Sequence, residues 1–165
     1  MTQPALASLV VMGVAGCGKS TLAAAAAERL ARTWVEGDLL HTAASRDKMA
    51  RGEPLTDADR ASWLASLCDR LRQRPGVIVT CSALKRAYRE QLRQASPGLR
   101  FAFLEITPAE AARRVRTRGG HFFAASLIDS QFDTLESPVG EPGVLRLDAT
   151  APPAMLTAQV CDWMR

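Results

Sequence analysis

The chain has no asparagine anywhere in its 165 residues. A guanine-reading Asn-Lys-x-Asp motif is therefore absent, which argues against a GTP-driven switch. Aromatic residues are scarce at 5%, and Tyr88 is the only tyrosine. A platform for single-stranded nucleic acid needs several aromatic rings among its basic groups. From Arg86 to Arg118 only Tyr88, Phe101 and Phe103 are available, and the two phenylalanines alternate as strand core does. The two histidines, His41 and His121, and the four cysteines, Cys17, Cys68, Cys81 and Cys161, include no Cys-x-x-Cys pair. This argues against a structural zinc site or a disulfide framework and favours a reducing, cytoplasmic setting. No apolar run approaches the roughly 18 residues that cross a bilayer. No lysine or arginine precedes an apolar stretch within Met1 to Ser8, so neither a membrane span nor a signal peptide is expected.

What remains is ordinary globular composition, with 47% apolar and 23% charged residues, in a length suited to one domain, residues 1–165. The formal net charge is +4. It is unevenly placed: Lys85 to Arg118 carries nine Lys/Arg against three Asp/Glu. Such a stretch either meets a polyanion, a small phosphate compound or nucleic acid, or forms solvated helix faces.

Strand and helix patterns alternate. Leu9 to Val14 is a continuous apolar run of the kind a buried parallel strand shows, and Lys19 to Arg32 is alanine-rich and helical by propensity. Thr33 to Glu36 is a short strand, and Ser45 to Arg51 a short helix closed by Gly52. Thr56-Asp-Ala-Asp59 is a capping box with Asp for Glu, opening a helix to about Arg74. Trp63, Leu64 and Leu67 fall at helical spacing as core. Pro75-Gly76 ends that helix before a strand over Val77 to Cys81. Ser82 then caps a helix from Ala83 to about Ala95. A strand follows over Phe101 to Ile106, and Thr107-Pro-Ala-Glu110 opens a helix to about Arg118. Val144 to Asp148 and Pro152 to Met164 give a final strand and helix. The alternation implies an α/β fold, a parallel sheet flanked by helices.

Gly13-Val-Ala-Gly-Cys-Gly-Lys-Ser20 fits G-x-x-x-x-G-K-[ST]. Glycines let backbone N–H groups turn toward phosphates, and the following helix adds its positive end. Lys19 reaches the β- and γ-phosphates, and the Ser20 hydroxyl takes a place on Mg²⁺. Cys17 is a small filler of the loop. The motif follows a buried strand and precedes a helix, as its mechanics require.

Glu36-Gly37-Asp38 ends the second strand, and the carboxyl ends of parallel strands face the ligand crevice. A carboxylate there can take a hydroxyl proton or hold the metal shell. Asp38 is assigned the hydroxyl and Glu36 the metal; the alternative is a turn whose acids are merely solvated.

Further blocks carry a resemblance. Gly37-Asp-Leu-Leu-His41, Lys48-Met49, Gly52-Glu-Pro-Leu55, Asp57-Ala-Asp-Arg60 with Trp63-Leu64, Cys81-Ser-Ala-Leu-Lys85 with Tyr88-Arg89, Gly120-His-Phe-Phe123, and Gln131-Phe132 with Leu135-Glu136 occur in order. From residue 9 to about 138 the chain resembles the gluconate kinase family, related to shikimate kinase and the nucleoside monophosphate kinases. The resemblance implies a P-loop kinase fold: a five-stranded parallel sheet in the order 2-3-1-4-5 and a mobile lid at about 119–130. It also implies transfer of the γ-phosphoryl of ATP to the 6-hydroxyl of D-gluconate. Shikimate itself is disfavoured, because Cys81-Ser82-Ala83 stands where shikimate kinases carry a glycine triplet. Another small sugar acid, or a shikimate-like acceptor on the same fold, is the runner-up.

The resemblance also implies roles. Gly13, Gly16, Cys17, Gly18, Lys19, Ser20, Thr21 and Arg114 hold the nucleotide, and Pro152 lies in a loop like the one that holds adenine. Asp38, His41, Arg60, Ser82 and Arg89 line the acceptor pocket, a set whose guanidinium, imidazole and hydroxyl groups suit a polyhydroxy carboxylate. Each has a plainer alternative: Arg60 balances Asp57 and Asp59, Arg89 is solvated, Ser82 is an N-cap, and His41 is a turn residue. Lys85 is structural. Arg114 and Arg118 lie four apart on one helix face and close over the triphosphate, with Arg118 stabilising the charge of transfer. His121 is a lid contact to the substrate. Related kinases include dimers, so a homodimer is admitted, and no nucleic acid or membrane partner is expected.

The family usually has proline at position 42, asparagine at 45, and a proline before the Trp63 position; here Thr42, Ser45 and Ser62 stand there. Ser and Asn are near-equivalent helix caps, so Ser45 is read as capping the short helix, the alternative being a contact to the acceptor.

Overall fold

The computed structural model describes residues 6–117 and 125–165. Five strands form one parallel sheet: β1 Leu9–Met12, β2 Trp34–Glu36, β3 Ile78–Thr80, β4 Arg100–Glu105 and β5 Val144–Asp148, in the order β2-β3-β1-β4-β5. Seven α-helices are described: α1 Lys19–Leu30, α2 Ala43–Ala50, α3 Asp57–Gln73, α4 Arg86–Ala95, α5 Pro108–Thr117, α6 Ala125–Thr134 and α7 Pro153–Met164. A short 3₁₀ turn, Gly37–Leu40, follows β2. This is the strand order that the family resemblance implies.

Period two in β1 divides the core. Leu9 and Val11 pack with Ala23, Ala26, Val160 and Cys161 on one face. Val10 and Met12 pack with Trp63, Leu67, Phe101 and Phe103 on the other. The two phenylalanines therefore face one layer from adjacent turns of the pleat. β1 is wholly buried and pairs on both sides, Val11 against Thr80 and against Ala102. Its central place puts the loop after it at the middle of the sheet's carboxyl edge, where strand order reverses.

Several boundaries differ from the sequence reading for identifiable reasons. The short helix starts at Ala43, not Ser45. Thr42 is its cap, its hydroxyl accepting the Ser45 N–H at 3.1 Å. The threonine in the family's proline position supplies the cap, and Ser45 is a buried third residue of the helix. Ser82 caps nothing, because α4 begins at Arg86. The Glu136 carboxylate accepts the Arg86 N–H at 2.7 Å and caps α4 from a distant segment. The capping box of α3 forms as expected, with Thr56 accepting from Asp59 N–H at 3.1 Å and Asp59 accepting from Thr56 N–H at 2.9 Å. Helix α6 has no counterpart in the sequence reading.

Arg89 is also reassigned. It is completely buried, and all five of its N–H groups are used. They donate to Glu141 at 2.9 and 2.6 Å, to the Ala83 and Leu84 carbonyls at 2.7 and 3.2 Å, and to the Glu136 carbonyl at 2.9 Å. It has no donor left for an acceptor substrate. Instead it braces the turn over residues 82–84, where Ala83 holds a φ of +47°, a conformation that costs an L-residue about 1–2 kcal/mol.

The basic stretch is dispersed by the fold. Arg86 and Arg93 pair with Glu90, Arg89 and Arg93 with Glu141, and Arg113 and Arg114 with Glu110. Arg100 stacks on Trp163 and donates to its carbonyl at 2.6 Å. Among the described residues no helix is long and apolar enough to cross a membrane.

Candidate active site

A cavity of about 250 Å³ opens at the carboxyl edge of the sheet. One wall is the loop and first turn of α1, with Ala15, Gly16, Gly18, Lys19, Ser20 and Thr21. The opposite wall is Asp38, His41, Met49, Pro54, Leu55, Arg60, Trp63 and Ser82. Val115 of α5 and Leu127, Ser130 and Gln131 of α6 form the third wall.

The loop has the form its motif requires. Gly16 and Gly18 hold φ of +82° and +98°, values that side chains rarely adopt. Gly18 stands directly before α1, so the helix's first N–H groups face the cavity. Cys17 is buried, its sulfur lying where a side chain on Gly13 would have to go, and burial pushes its thiol pKa up. It fills space and is not a reactive thiolate. The Lys19 ammonium curls over the loop, donating to the Gly13 and Val14 carbonyls at 3.0 and 3.1 Å. Arg114 donates to the Ala149 carbonyl at 2.8 Å and to the Cys17 carbonyl at 3.4 Å. It thereby joins α5 to the phosphate loop and to the loop after β5. Pro152 stands at the N-terminus of α7 and is not among the residues that line the cavity.

Gly37 sets the acidic wall. A Cβ there would sit 1.9 Å from the Thr80 carbonyl oxygen, so only glycine fits. Its N–H donates to the Thr80 hydroxyl at 3.0 Å, and its carbonyl accepts from Trp63 Nε1 at 2.8 Å. These bonds turn the chain sharply out of β2 and present Asp38 on the cavity. No group among the described residues bonds the Asp38 carboxylate. Glu36 stays inside, its carboxylate accepting from the Ser20 hydroxyl and, at 2.5 Å, from Thr80. Ser20 and Glu36 are hard oxygen donors side by side at the phosphate loop. That set suits Mg²⁺, which keeps waters and phosphate oxygens and takes few protein ligands. Among the described residues no cluster of three His, Cys, Asp or Glu forms a closed cage.

His41 stacks on Trp63 with ring centroids 4.3 Å apart. Its Nδ1 is buried without a partner. Burial pushes its pKa down, with Asp38 opposing in part, so it is a neutral imidazole near pH 7. Arg60 reaches the cavity from α3 and donates to the Tyr88 hydroxyl at 3.2 Å. Tyr88 in turn donates to Asp57, which also pairs with Lys85 at 3.0 Å. Lys85 is thus structural, as the sequence reading has it. Burial and the Asp57 bond push the Tyr88 pKa up, so the phenol stays a donor at neutral pH.

The structure therefore brings together Gly16, Gly18, Lys19, Ser20, Thr21, Asp38, His41, Arg60 and Ser82 around one cavity, with Glu36 behind Ser20. It removes Arg89. Arg118 and His121, with residues 119–124 of the lid expected at about 119–130, lie outside the described residues. The sequence reading misses Tyr88 and Gln131 as individual contributors. Both sit inside the motif blocks that carry the family resemblance, and Tyr88 is the chain's single tyrosine.

Comparison with known proteins decides the family. Residues 9–141 match a family model described as an AAA domain. The chain is 46% identical over 156 residues to a gluconokinase of Gluconobacter oxydans (strain 621H), covering 92% of this chain and 88% of that one. The chain belongs to the gluconokinase family. The crystal structure of a gluconokinase from Sinorhizobium meliloti 1021 superposes with a TM-score of 0.90 at 42% identity, covering 98% of this chain and 93% of that one. A shikimate kinase from Aquifex aeolicus shares the fold, with a TM-score of 0.66 at 12% identity and 93% of each chain covered. The likeness to gluconokinases covers nearly the whole chain.

Proposed function

We propose that the chain phosphorylates D-gluconate at its 6-hydroxyl with ATP, giving 6-phospho-D-gluconate and ADP. One observation carries this reading: a single cavity joins a phosphate loop to a carboxylate, a guanidinium and hydroxyl-binding groups, in a chain of the gluconokinase family.

In this reading the loop N–H groups and Lys19 hold the triphosphate, and Arg114 braces the loop from α5. Ser20 and Glu36 hold Mg²⁺, which when bound supplies charge neutralisation at the phosphates. Arg60 takes the gluconate carboxylate, and neutral His41 and Ser82 bond its hydroxyls. The 6-hydroxyl oxygen forms a bond to the γ-phosphorus as the bond to the β,γ-bridging oxygen breaks. The hydroxyl proton passes to Asp38, and ADP carries away the leaving electron pair. Catalysis is then chiefly positioning and charge stabilisation. Arg118 and His121 are assigned to the transferring group and the acceptor from the family pattern, and Pro152 to the adenine side. The four free thiols suit a reducing compartment, and we place the enzyme in the cytoplasm.

The test is a coupled ADP-release assay over gluconate, other aldonates, shikimate and nucleoside monophosphates. Turnover highest on gluconate is expected. A higher kcat/KM on another sugar acid would move the assignment to that acceptor, and turnover confined to nucleotides would overturn it.

A further inference from the structure

The third wall of the cavity has no part in the scheme above. It is built by α6, whose Leu127 and Ile128 are buried in the fold. One turn further on, Gln131 faces the phosphate loop. Its side-chain oxygen accepts the backbone N–H of Ala15 at 2.7 Å, and both residues line the cavity.

This contact fixes which way the carboxamide points. The partner is an N–H donor, so the amide oxygen must face it. The Nε2 group is then directed away from Ala15, and no acceptor among the described residues takes either of its hydrogens. A polar group able to donate two hydrogen bonds is held at the phosphate loop without a partner among the described residues. It is also neutral, so it adds no charge to the metal shell. A phosphoryl group passing from the loop to the Asp38 wall must cross the space this cavity encloses.

We propose that Gln131 is a ligand of the γ-phosphoryl group, donating from Nε2 to one of its non-bridging oxygens while Oε1 stays on Ala15. The proposal rests on the phosphoryl-transfer reading, and it deepens that reading by adding a residue on α6 to the phosphate site. It makes the seating of α6 against the loop sensitive to whether the nucleotide carries a third phosphate.

Two variants separate this from a purely structural pin. Gln131→Glu keeps an oxygen for the Ala15 N–H and replaces the donor branch with a charged acceptor. Gln131→Ala removes both. Calorimetric binding of ADP and of a non-hydrolysable ATP analogue, each with Mg²⁺, is measured on the full chain, with melting curves confirming the fold. The proposal expects both variants to weaken the analogue by about tenfold, the scale of one hydrogen bond to a charged group. It expects ADP affinity to stay within about twofold of wild type. Wild-type analogue affinity in Gln131→Glu would overturn it, as would equal losses for ADP and the analogue. The measurement uses no acceptor, so a wrong assignment of gluconate would leave its outcome unchanged and would show itself separately in the ADP-release assay.

Discussion

In the proposed reaction Asp38 and Arg60 divide the work of acceptor recognition, and each can be tested alone. Asp38→Asn removes the proton acceptor while keeping the shape, so kcat on gluconate should fall by roughly 10²–10⁴, with nucleotide affinity unchanged in a binding titration. A loss confined to nucleotide affinity would place Asp38 in the metal shell instead. Arg60 depends on Tyr88, whose hydroxyl accepts from the guanidinium and donates to Asp57. Tyr88→Phe should raise the KM for gluconate by about tenfold and leave kcat and the KM for ATP near wild type. Steady-state kinetics would show this split, and a matching fall in kcat would instead mean that Tyr88 shapes the transfer step. At this scale the sequence was informative where chemistry is local. The phosphate loop is contiguous, so its glycines, Lys19 and Ser20 could be read directly. The Glu36-Gly37-Asp38 turn was also legible, but the reason for its glycine was not, since the Thr80 carbonyl that excludes a Cβ comes from a strand 43 residues away. Arg89 misled because a guanidinium in a motif block looks the same whether it meets substrate or a buried carboxylate.

Elements were legible where a strong period or a local cap defines them. All five strands and the long α3 with its capping box fall where patterning places them. The misplaced starts of α2 and α4 share one cause: the true cap was either a residue read differently, Thr42, or a residue far along the chain, Glu136. Helix α6 lacks a local start signal, and only its first part falls within the lid expected at about 119–130. Arg89 gives the prediction at this level. It ties α4, the turn at Ala83 and the segment from Glu136 to Glu141 into one unit. Removing one partner of a buried pair costs about 3–5 kcal/mol. Arg89→Leu should lose about that much in urea unfolding, and a loss below about 1 kcal/mol would mean that the ion pair is not the clamp described. Because the same turn carries Ser82, residual folded Arg89→Leu should bind gluconate more weakly without weakening ADP.

For the whole molecule, the net charge of +4 describes the surface poorly, because much of the basic stretch is paired, with Glu90 and Glu110 in its own helices and with Asp57 and Glu141 from other segments. Those pairs set the acid limit of stability. Arg89, and then Arg93, hold the Glu141 carboxyl below its ordinary 4.5. Arg113 and Arg114 lower Glu110 to about 2, and Lys48 with the Thr56 N–H lowers Asp59 to about 2. A carboxylate whose folded pKa is depressed stabilises the fold fully above its unfolded value. That contribution is lost as pH falls through the folded value, since the unfolded chain binds more protons between the two. Melting temperature should therefore decline below about pH 4.5. Glu141→Gln should melt lower than wild type at pH 7 and lose less on acidification; an unchanged slope would assign the acid sensitivity to other groups. The central claim is that this one cavity carries phosphate from ATP to the 6-hydroxyl of gluconate. The most direct measurement is ³¹P and ¹³C NMR of the product formed from gluconate, ATP and Mg²⁺. The account predicts one phosphate ester on carbon 6, formed in step with ADP. An ester on another carbon, or inorganic phosphate with no ester, would contradict it.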